Sequence, residues 1–178
     1  MATHTHALSY PLGEFDTATP VTPAMRVPAI AEIAALPGNI RKAVAGLSDR
    51  QLDTPYRQGG WTVRQLVHHI ADSHMNGFIR VRLSLTEDTP TIKPYDEKLW
   101  ADLPDMTLPI DASLNIIDGL HTRWAALART LTPADFARSF FHPEMGRTLS
   151  LDTHLQMYAW HSRHHVAHIT ALRAREGW

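Results

Sequence analysis

Apolar residues recur every three or four positions along most of the chain, a spacing that is typical of amphipathic helices. The pattern predicts four long helices, near residues 28–47, 62–86, 112–131 and 150–175. Pro37 and Gly38 interrupt the first of these segments, which is therefore either one kinked helix or two short helices in line. Thr62 directly precedes the second segment and is a residue type that commonly caps a helix N-terminus.

Proline-rich segments separate the predicted helices. Prolines make residues 1–24 look like an extended N-terminal arm, and residues 87–110 suit a long crossover with one helical turn. Residues 140–149 include the sequence HPEMG and are interpreted as a hairpin-like excursion. Strand signals are otherwise vestigial. The sequence therefore predicts an all-α four-helix bundle with a long crossover, in one domain over residues 1–178, and an α+β fold is the weaker alternative.

Composition excludes several classes of protein. The 178 residues include 17 Lys+Arg and 18 Asp+Glu, a formal charge of −1, which does not favour a nucleic-acid or membrane partner. The opening residues lack a basic segment followed by an apolar run, and no stretch approaches the ~18 apolar residues of a membrane span, so we expect a cytoplasmic protein. Cysteine is absent. Any thiol in the chemistry must therefore arrive with a substrate.

Histidine is the outlying residue type, with 12 in the chain, and the fourth helix contains the sequence WHSRHHVAH. On a helical wheel, His161 and His165 lie one turn apart beside the buried face, so their imidazoles can converge on one ion. The wheel places His164 further toward solvent and rotates His168 away from that pair. A chance pairing within a histidine-rich helix is the alternative interpretation.

The second helix supplies a third imidazole. His69 shares its direction with a polar file that borders the apolar stripe and includes Asn76 and Arg80, whereas His68 lies on the opposite flank and His74 falls within the stripe. Such a file fits the lining of a wet cleft between helices, or else an ordinary solvated face.

His69, His161 and His165 together form a candidate three-imidazole site without thiolate or carboxylate ligands. This donor set suits Zn²⁺, Ni²⁺ or another borderline first-row ion and leaves a position open for water or substrate. Asp72, Asp152 and Glu144 are candidate acceptors that would orient the rings.

Several segments resemble those of the DinB/YfiT-like family of metal-dependent hydrolases. The similarity covers nearly the whole chain and lies in LSYPLGEF, LDTPYRQGGWTVRQLVHHIADSHMN, KPYDEKLWADL, LHTRWAALARTLTPADF and WHSRHHVAHIT. It is strongest to the YfiT branch, which is associated with bacillithiol S-transferase activity. The resemblance implies a four-helix bundle with a crossover, a divalent metal such as nickel or zinc, and a homodimer. Carried over by position, its three metal-binding histidines are His69, His161 and His165.

Three functions are compatible with this site. The first is transfer of a low-molecular-weight thiol to an electrophile, with the thiol activated at one divalent ion per chain. In that hypothesis Arg80 and Asn76 contact the substrate, and Arg64 or Arg82 are weaker candidates that are otherwise surface cations. The second is hydrolysis of a small amide or ester by water activated at the same ion. The third is a non-catalytic binding module in which the ion is structural.

Besides the resemblance, Trp100 and Trp178 are interpreted as exposed aromatic residues, and they also favour a homodimer.

Overall fold

The computed structural model describes residues 7–16 and 19–178. From residue 26 onward its helices, in chain order, are α1 (Arg26–Val44), α2 (Asp49–Leu52), α3 (Val63–Thr86), α4 (Glu97–Ala101), α5 (Asp111–Thr130), α6 (Pro133–Ala137) and α7 (Leu151–Glu176). One 3₁₀ turn (Pro23–Met25) precedes α1 and a second (Pro104–Thr107) lies between α4 and α5, while two strands, β1 (Ser139–His142) and β2 (Arg147–Ser150), lie between α6 and α7. The long helices α1, α3, α5 and α7 form the bundle. The four predicted helices are therefore confirmed.

The N-termini of the two helices that carry the candidate ligands are capped by side chains. The Thr62 hydroxyl accepts a hydrogen bond from the Gln65 amide at 3.1 Å, and the Gln65 side chain accepts one from the Thr62 amide at 2.9 Å. Ser150 caps α7 through its hydroxyl, which accepts from the Thr153 amide at 3.2 Å. These bonds satisfy amides that have no partner within their helix, and they define where α3 and α7 begin.

Helix α1 is one continuous helix across Pro37. Because Pro37 has no N–H, the carbonyl of Ile33, four residues earlier, loses its usual helical partner. The Nδ1 atom of His121 on α5 lies 2.6 Å from that carbonyl and donates to it. A bond between helices thus replaces the one that proline removes, which explains why the segment does not split into two helices.

The crossover and the hairpin lie against each other. Strands β1 and β2 pair antiparallel, with Phe140 opposite Leu149, so the predicted hairpin is a two-stranded sheet. The crossover pairs with β1, since the Ile92 amide donates to the Phe141 carbonyl at 3.1 Å and the Phe141 amide donates to the Pro90 carbonyl at 2.9 Å. These bonds fix the crossover segment beside one end of the bundle.

The N-terminal arm is not extended throughout. Residues 7–9 are helical and a 3₁₀ turn follows at Pro23–Met25, while residues 1–6 and 17–18 lie outside the described part of the chain. The arm contacts α7: the Ser9 carbonyl lies 3.0 Å from His168 Nε2, and the rings of Phe15 and Trp160 are 6.0 Å apart. A face of α7 that points away from the bundle core is therefore covered by the arm.

The interpretation of two tryptophans as exposed is wrong. Trp100 is half-buried, with its ring 4.4 Å from that of Tyr95, and Trp178 packs against the core between the long helices. Both side chains have partners within the chain, so neither supports an interface between copies. Among the described residues, no helix combines the length and the apolar character needed to cross a membrane.

Candidate metal centre

Three histidine side chains from two helices converge on one point. His69 comes from α3, and His161 and His165 come from successive turns of α7. The Nε2 atom of His161 lies 3.4 Å from Nε2 of His69 and 3.0 Å from Nε2 of His165. One ligand atom from each ring falls within 4.8 Å of the others, as a shared ion requires. The structure thus brings together the three residues that the sequence singles out.

All three imidazoles are held neutral. Burial lowers the pKa of His69 to about 4, and burial followed by the charges of neighbouring imidazoles lowers the pKa of His161 and His165 well below the usual value. A neutral ring offers a lone pair, and metal binding requires that form. Within the described residues the group contains no carboxylate and no fourth histidine. The donor set therefore fits a borderline divalent ion with an open coordination position.

His74 orients His161 from behind. It is fully buried, and its Nε2 atom lies 3.0 Å from Nδ1 of His161. If His161 binds a metal through Nε2, its Nδ1 carries the proton and donates to His74. The sequence places His74 in the apolar stripe, but it does not reveal that the ring contacts a candidate ligand.

The wheel is wrong about His164, which is buried; His168, which the wheel rotates away from the ligand pair, is buried as well. The wheel considers only the face that packs on the bundle, whereas the N-terminal arm covers the neighbouring face of α7. The His164 ring stacks on Trp160 with centroids 4.3 Å apart and lies 5.8 Å from the Tyr10 ring. His168 lies between the arm and His165, and the two Nδ1 atoms of His165 and His168 are 3.3 Å apart.

A cavity of about 350 Å³ reaches the three candidate ligands. Its other walls come from the loop before α3, from α3 and α7, and from the crossover and the hairpin. They include Trp61, Ser73, Arg80, Pro94, Tyr95, Glu97, His142, Glu144 and Tyr158. The cavity therefore joins elements that are distant in sequence around the histidine cluster.

Arg80 is the buried cation of this cavity. It is 8% exposed, and no acidic side chain among the described residues forms an ion pair with it. Burial raises the pKa of Tyr158, and the Arg80 charge opposes that shift; burial and the same charge lower the pKa of His142. An unpaired buried guanidinium is costly unless an anion joins it, so this wall suits an anionic group.

Tyr158 closes the floor of the cavity. Its hydroxyl donates to the Ser73 carbonyl at 3.0 Å, and its ring packs against Gly77 at a distance that no side chain there would permit. Tyr95 and His142 come from the crossover and from β1. No local spacing in the sequence signals these residues, because only the fold brings them to the cavity.

Asn76 does not line the cavity. Its Nδ2 atom donates to the carbonyl of Asp72 on the same helix at 2.9 Å, so the side chain is turned back onto α3. The wheel gives the correct direction from the helix axis, but it cannot show that the side chain bonds to its own backbone.

Two further residues that the sequence singles out form ion pairs outside the cavity. Arg64 pairs with Asp53 at 2.6 Å and with Asp49 at 2.8 Å, and Asp152 pairs with Arg26 at 2.7 Å.

The remaining residues that the sequence singles out are Arg82, Asp72 and Glu144. Arg82 is exposed and lies over the Phe78 ring. Burial and the charge of Asp105 raise the pKa of Asp72 to about 6, but Asp72 is not part of the cavity wall. Glu144 is the one proposed acceptor that does line it.

One candidate ligand on the second long helix and an H-x-x-x-H pair on the fourth give the arrangement that the sequence resemblance implies. The chain belongs to the DinB superfamily, whose family model matches residues 32–169. It is 53% identical over 171 residues to a Bacillus cereus (strain B4264) protein named "Putative metal-dependent hydrolase", covering 96% of this chain and 98% of that protein. A Bacillus mycoides (strain KBAB4) protein of the same name is 52% identical over 171 residues, with coverage of 96% and 98%.

Solved structures agree with this assignment. YfiT from Bacillus subtilis, described as a probable metal-dependent hydrolase with an unusual four-helix bundle topology, superposes with a TM-score of 0.93 at 49% identity. That superposition covers 97% of this chain and 99% of the YfiT chain. The mycothiol-dependent maleylpyruvate isomerase shares the fold alone, with a TM-score of 0.60 at 16% identity over 78% of this chain and 60% of its own.

Proposed function

We propose that this protein is a metal-dependent enzyme that transfers a low-molecular-weight thiol to an electrophilic substrate. One observation carries the proposal: three neutral imidazole nitrogens converge at the wall of a cavity that also contains the unpaired guanidinium of Arg80. The first feature suits a divalent ion, and the second suits a small anionic substrate.

The ligands in this proposal are His69, His161 and His165, which hold one divalent ion per chain, zinc or nickel. An ion held there supplies a Lewis acid that lowers the pKa of a thiol or water placed beside it. The protein contributes a fixed set of lone pairs and a buried surround. His74 holds the ring of His161 in the orientation that its Nε2 atom needs.

Arg80 binds the substrate in this proposal. Low-molecular-weight thiols such as bacillithiol carry carboxylates, and the Arg80 guanidinium offers several donors in one plane for such a group. Arg80 lies on α3 three turns beyond His69 and lines the same cavity, so a thiol bound through its carboxylate at Arg80 occupies the cavity that the histidine cluster borders. Asn76 remains a weaker candidate, which would act only after its bond to Asp72 is released.

The nucleophile comes from outside the chain. Cysteine is absent from the sequence, so no covalent thiol intermediate can form on the protein. In the proposed reaction the external thiolate attacks an electrophilic carbon, a carbon–sulfur bond forms, and the leaving group departs with the bonding electron pair. The thiol proton passes to solvent or to a nearby base.

Hydrolysis of a small amide or ester is the second candidate. The names of the similar Bacillus proteins favour it, and so does the presence of two carboxylates, Glu97 and Glu144, in the cavity wall, since an attacking water needs a proton acceptor. A purely structural ion has less support, because structural sites usually have four protein ligands and this group has three among the described residues. We further propose a homodimer in the cytoplasm.

A paired assay separates the two reactions. Protein loaded with zinc or nickel is given a carboxylated thiol together with an aryl halide, and separately a set of small esters and amides. The proposal predicts thiol-dependent release of halide that is lost in the His161→Ala/His165→Ala variant. Ester or amide cleavage without thiol dependence supports the second candidate. Thiol transfer that persists in metal-free protein contradicts the metal-dependent mechanism.

A further inference from the structure

A line of hydrogen-bonding atoms runs from the N-terminal arm to the candidate metal centre. The Ser9 carbonyl oxygen lies 3.0 Å from Nε2 of His168, and Nδ1 of His168 lies 3.3 Å from Nδ1 of His165. The Nε2 atom of His165 faces Nε2 of His161 at 3.0 Å. His165 is thus the only ring in this line that reaches both His168 and the cluster of Nε2 atoms.

The Ser9 carbonyl oxygen determines the direction of the hydrogen bonds through His168 and His165. A backbone carbonyl oxygen can only accept, so Nε2 of His168 carries a proton and donates to Ser9. Both rings are buried, and burial disfavours a second proton on either. The Nδ1 atom of His168 is therefore an acceptor, and Nδ1 of His165 must donate to it. His165 then carries its single proton on Nδ1, and its Nε2 lone pair faces Nε2 of His161 at the histidine cluster.

We infer that His168 is a positioning residue that selects the metal-binding tautomer of His165, with the Ser9 carbonyl of the N-terminal arm holding His168 in turn. The inference rests on the proposed three-histidine site but is independent of the reaction catalysed there. We call the hydrogen bonds from the Ser9 carbonyl through His168 to His165 the relay. Through the relay, the backbone of the arm leaves the Nε2 atom of His165 unprotonated before an ion binds.

A second cation site is the competing interpretation of the same residues. A second group that could hold an ion consists of His164, His165 and His168, with one ligand atom of each within 4.8 Å of the others. However, the two His168 nitrogens are already engaged, one with Ser9 and the other with His165. A cation bound to Nδ1 of His165 would also require that atom to lose the proton it donates to His168. The relay satisfies these atoms without that loss.

Nitrogen NMR on the metal-free, full-length protein tests the relay directly. Long-range correlations from the carbon-bound ring protons report which nitrogen of each imidazole is protonated, and the signals are assigned by comparison with His165→Gln and His168→Asn. The relay predicts a proton on Nδ1 of His165 and on Nε2 of His168. A proton on Nε2 of His165 in the metal-free protein contradicts it.

Zinc affinity measured by competition with a chelator is the second readout. His168→Phe keeps an aromatic ring against Tyr56 but removes the acceptor, and we expect it to weaken zinc binding about 10- to 100-fold. His168→Asn places an acceptor oxygen near the position of Nδ1 and should restore most of that affinity. His164→Phe is the matched control, equally buried on the same helix, and should leave affinity and stoichiometry unchanged.

The outcomes distinguish the possibilities. If wild-type protein binds no zinc, the proposed metal site fails. If it binds zinc and His168→Phe binds equally tightly, the relay alone fails. A second zinc ion that is lost in His164→Phe overturns the relay in favour of the second cation site. Circular dichroism of each variant identifies any that does not fold, and the NMR result on wild-type protein stands independently of them.

Discussion

Gly77 is the position at which helix propensity and packing oppose each other most sharply. A Cβ atom at Gly77 would lie 2.4 Å from Cζ and 2.6 Å from Cε1 of Tyr158. The Tyr158 ring cannot easily yield, because it is 4% exposed, packs 4.6 Å from the His154 ring, and donates through its hydroxyl to the Ser73 carbonyl at 3.0 Å. We therefore expect Gly77→Ala to destabilise the protein, although alanine is the better helix former.

The sizes of the opposing free-energy contributions determine whether Gly77→Ala stabilises or destabilises the protein. Replacing a helical glycine by alanine stabilises by about 1 kcal/mol. Overpacking a buried site costs about 1–3 kcal/mol, and loss of the Tyr158 hydrogen bond costs about 1 kcal/mol more. The net expectation is a free energy of unfolding lowered by about 1–3 kcal/mol, which for a chain of this size lowers Tm by roughly 2–4 °C per kcal/mol.

Gly119→Ala is the matched control. Gly119 lies on the exposed side of α5, and no atom lies within 4 Å of a Cβ built there. The same substitution should therefore stabilise the protein by about 1 kcal/mol. Urea denaturation of the metal-free proteins, followed by circular dichroism, measures both values. The reasoning is refuted if Gly77→Ala is as stable as Gly119→Ala.

Two further predictions concern charge. Arg80→Gln should raise KM for a carboxylated thiol about tenfold or more and leave KM for the methyl ester of that thiol nearly unchanged. The exposed Arg82→Gln is the control and should change neither KM. Equal effects of the two substitutions would contradict a role for Arg80 in substrate binding. Burial lowers the pKa of His121 to about 4, so the unfolded state binds the proton more readily, and stability present above pH ~6.5 is lost as the pH falls toward 4. Between pH 7 and pH 5 this histidine lowers the free energy of unfolding by about 2 kcal/mol. Urea denaturation at both pH values should therefore show a loss of stability that is smaller by about 2 kcal/mol in His121→Asn than in the wild-type protein. The same pH dependence in both proteins would contradict this prediction.

Local spacing accounts for most of the fold and for the candidate ligands. The three-to-four-residue apolar period predicts the four long helices because each buries one stripe against the others. The separation of His161 and His165 by one turn is likewise a local property of α7. The pairing of these residues with His69 needs only the additional expectation that α3 and α7 are packed together.

The remaining features depend on contacts between distant segments. His164 and His168 are buried because residues 7–16 cover α7, which a wheel of one helix cannot represent. His142 and Tyr95 reach the cavity only through the pairing of the crossover with β1. The continuity of α1 across Pro37 likewise depends on a donor from α5.

Metal content after single substitution tests the central claim most directly. Each chain should hold about one divalent ion, and alanine at His69, His161 or His165 should abolish most of it. His68→Ala and His164→Ala are the controls, since His68 neighbours His69 but bonds to Ser113 at 2.7 Å, and His164 stacks on Trp160. With folding of every variant verified by circular dichroism, elemental analysis should show metal retained in both controls. Metal retained in the three ligand variants, or lost mainly from the controls, would contradict the assignment of the centre.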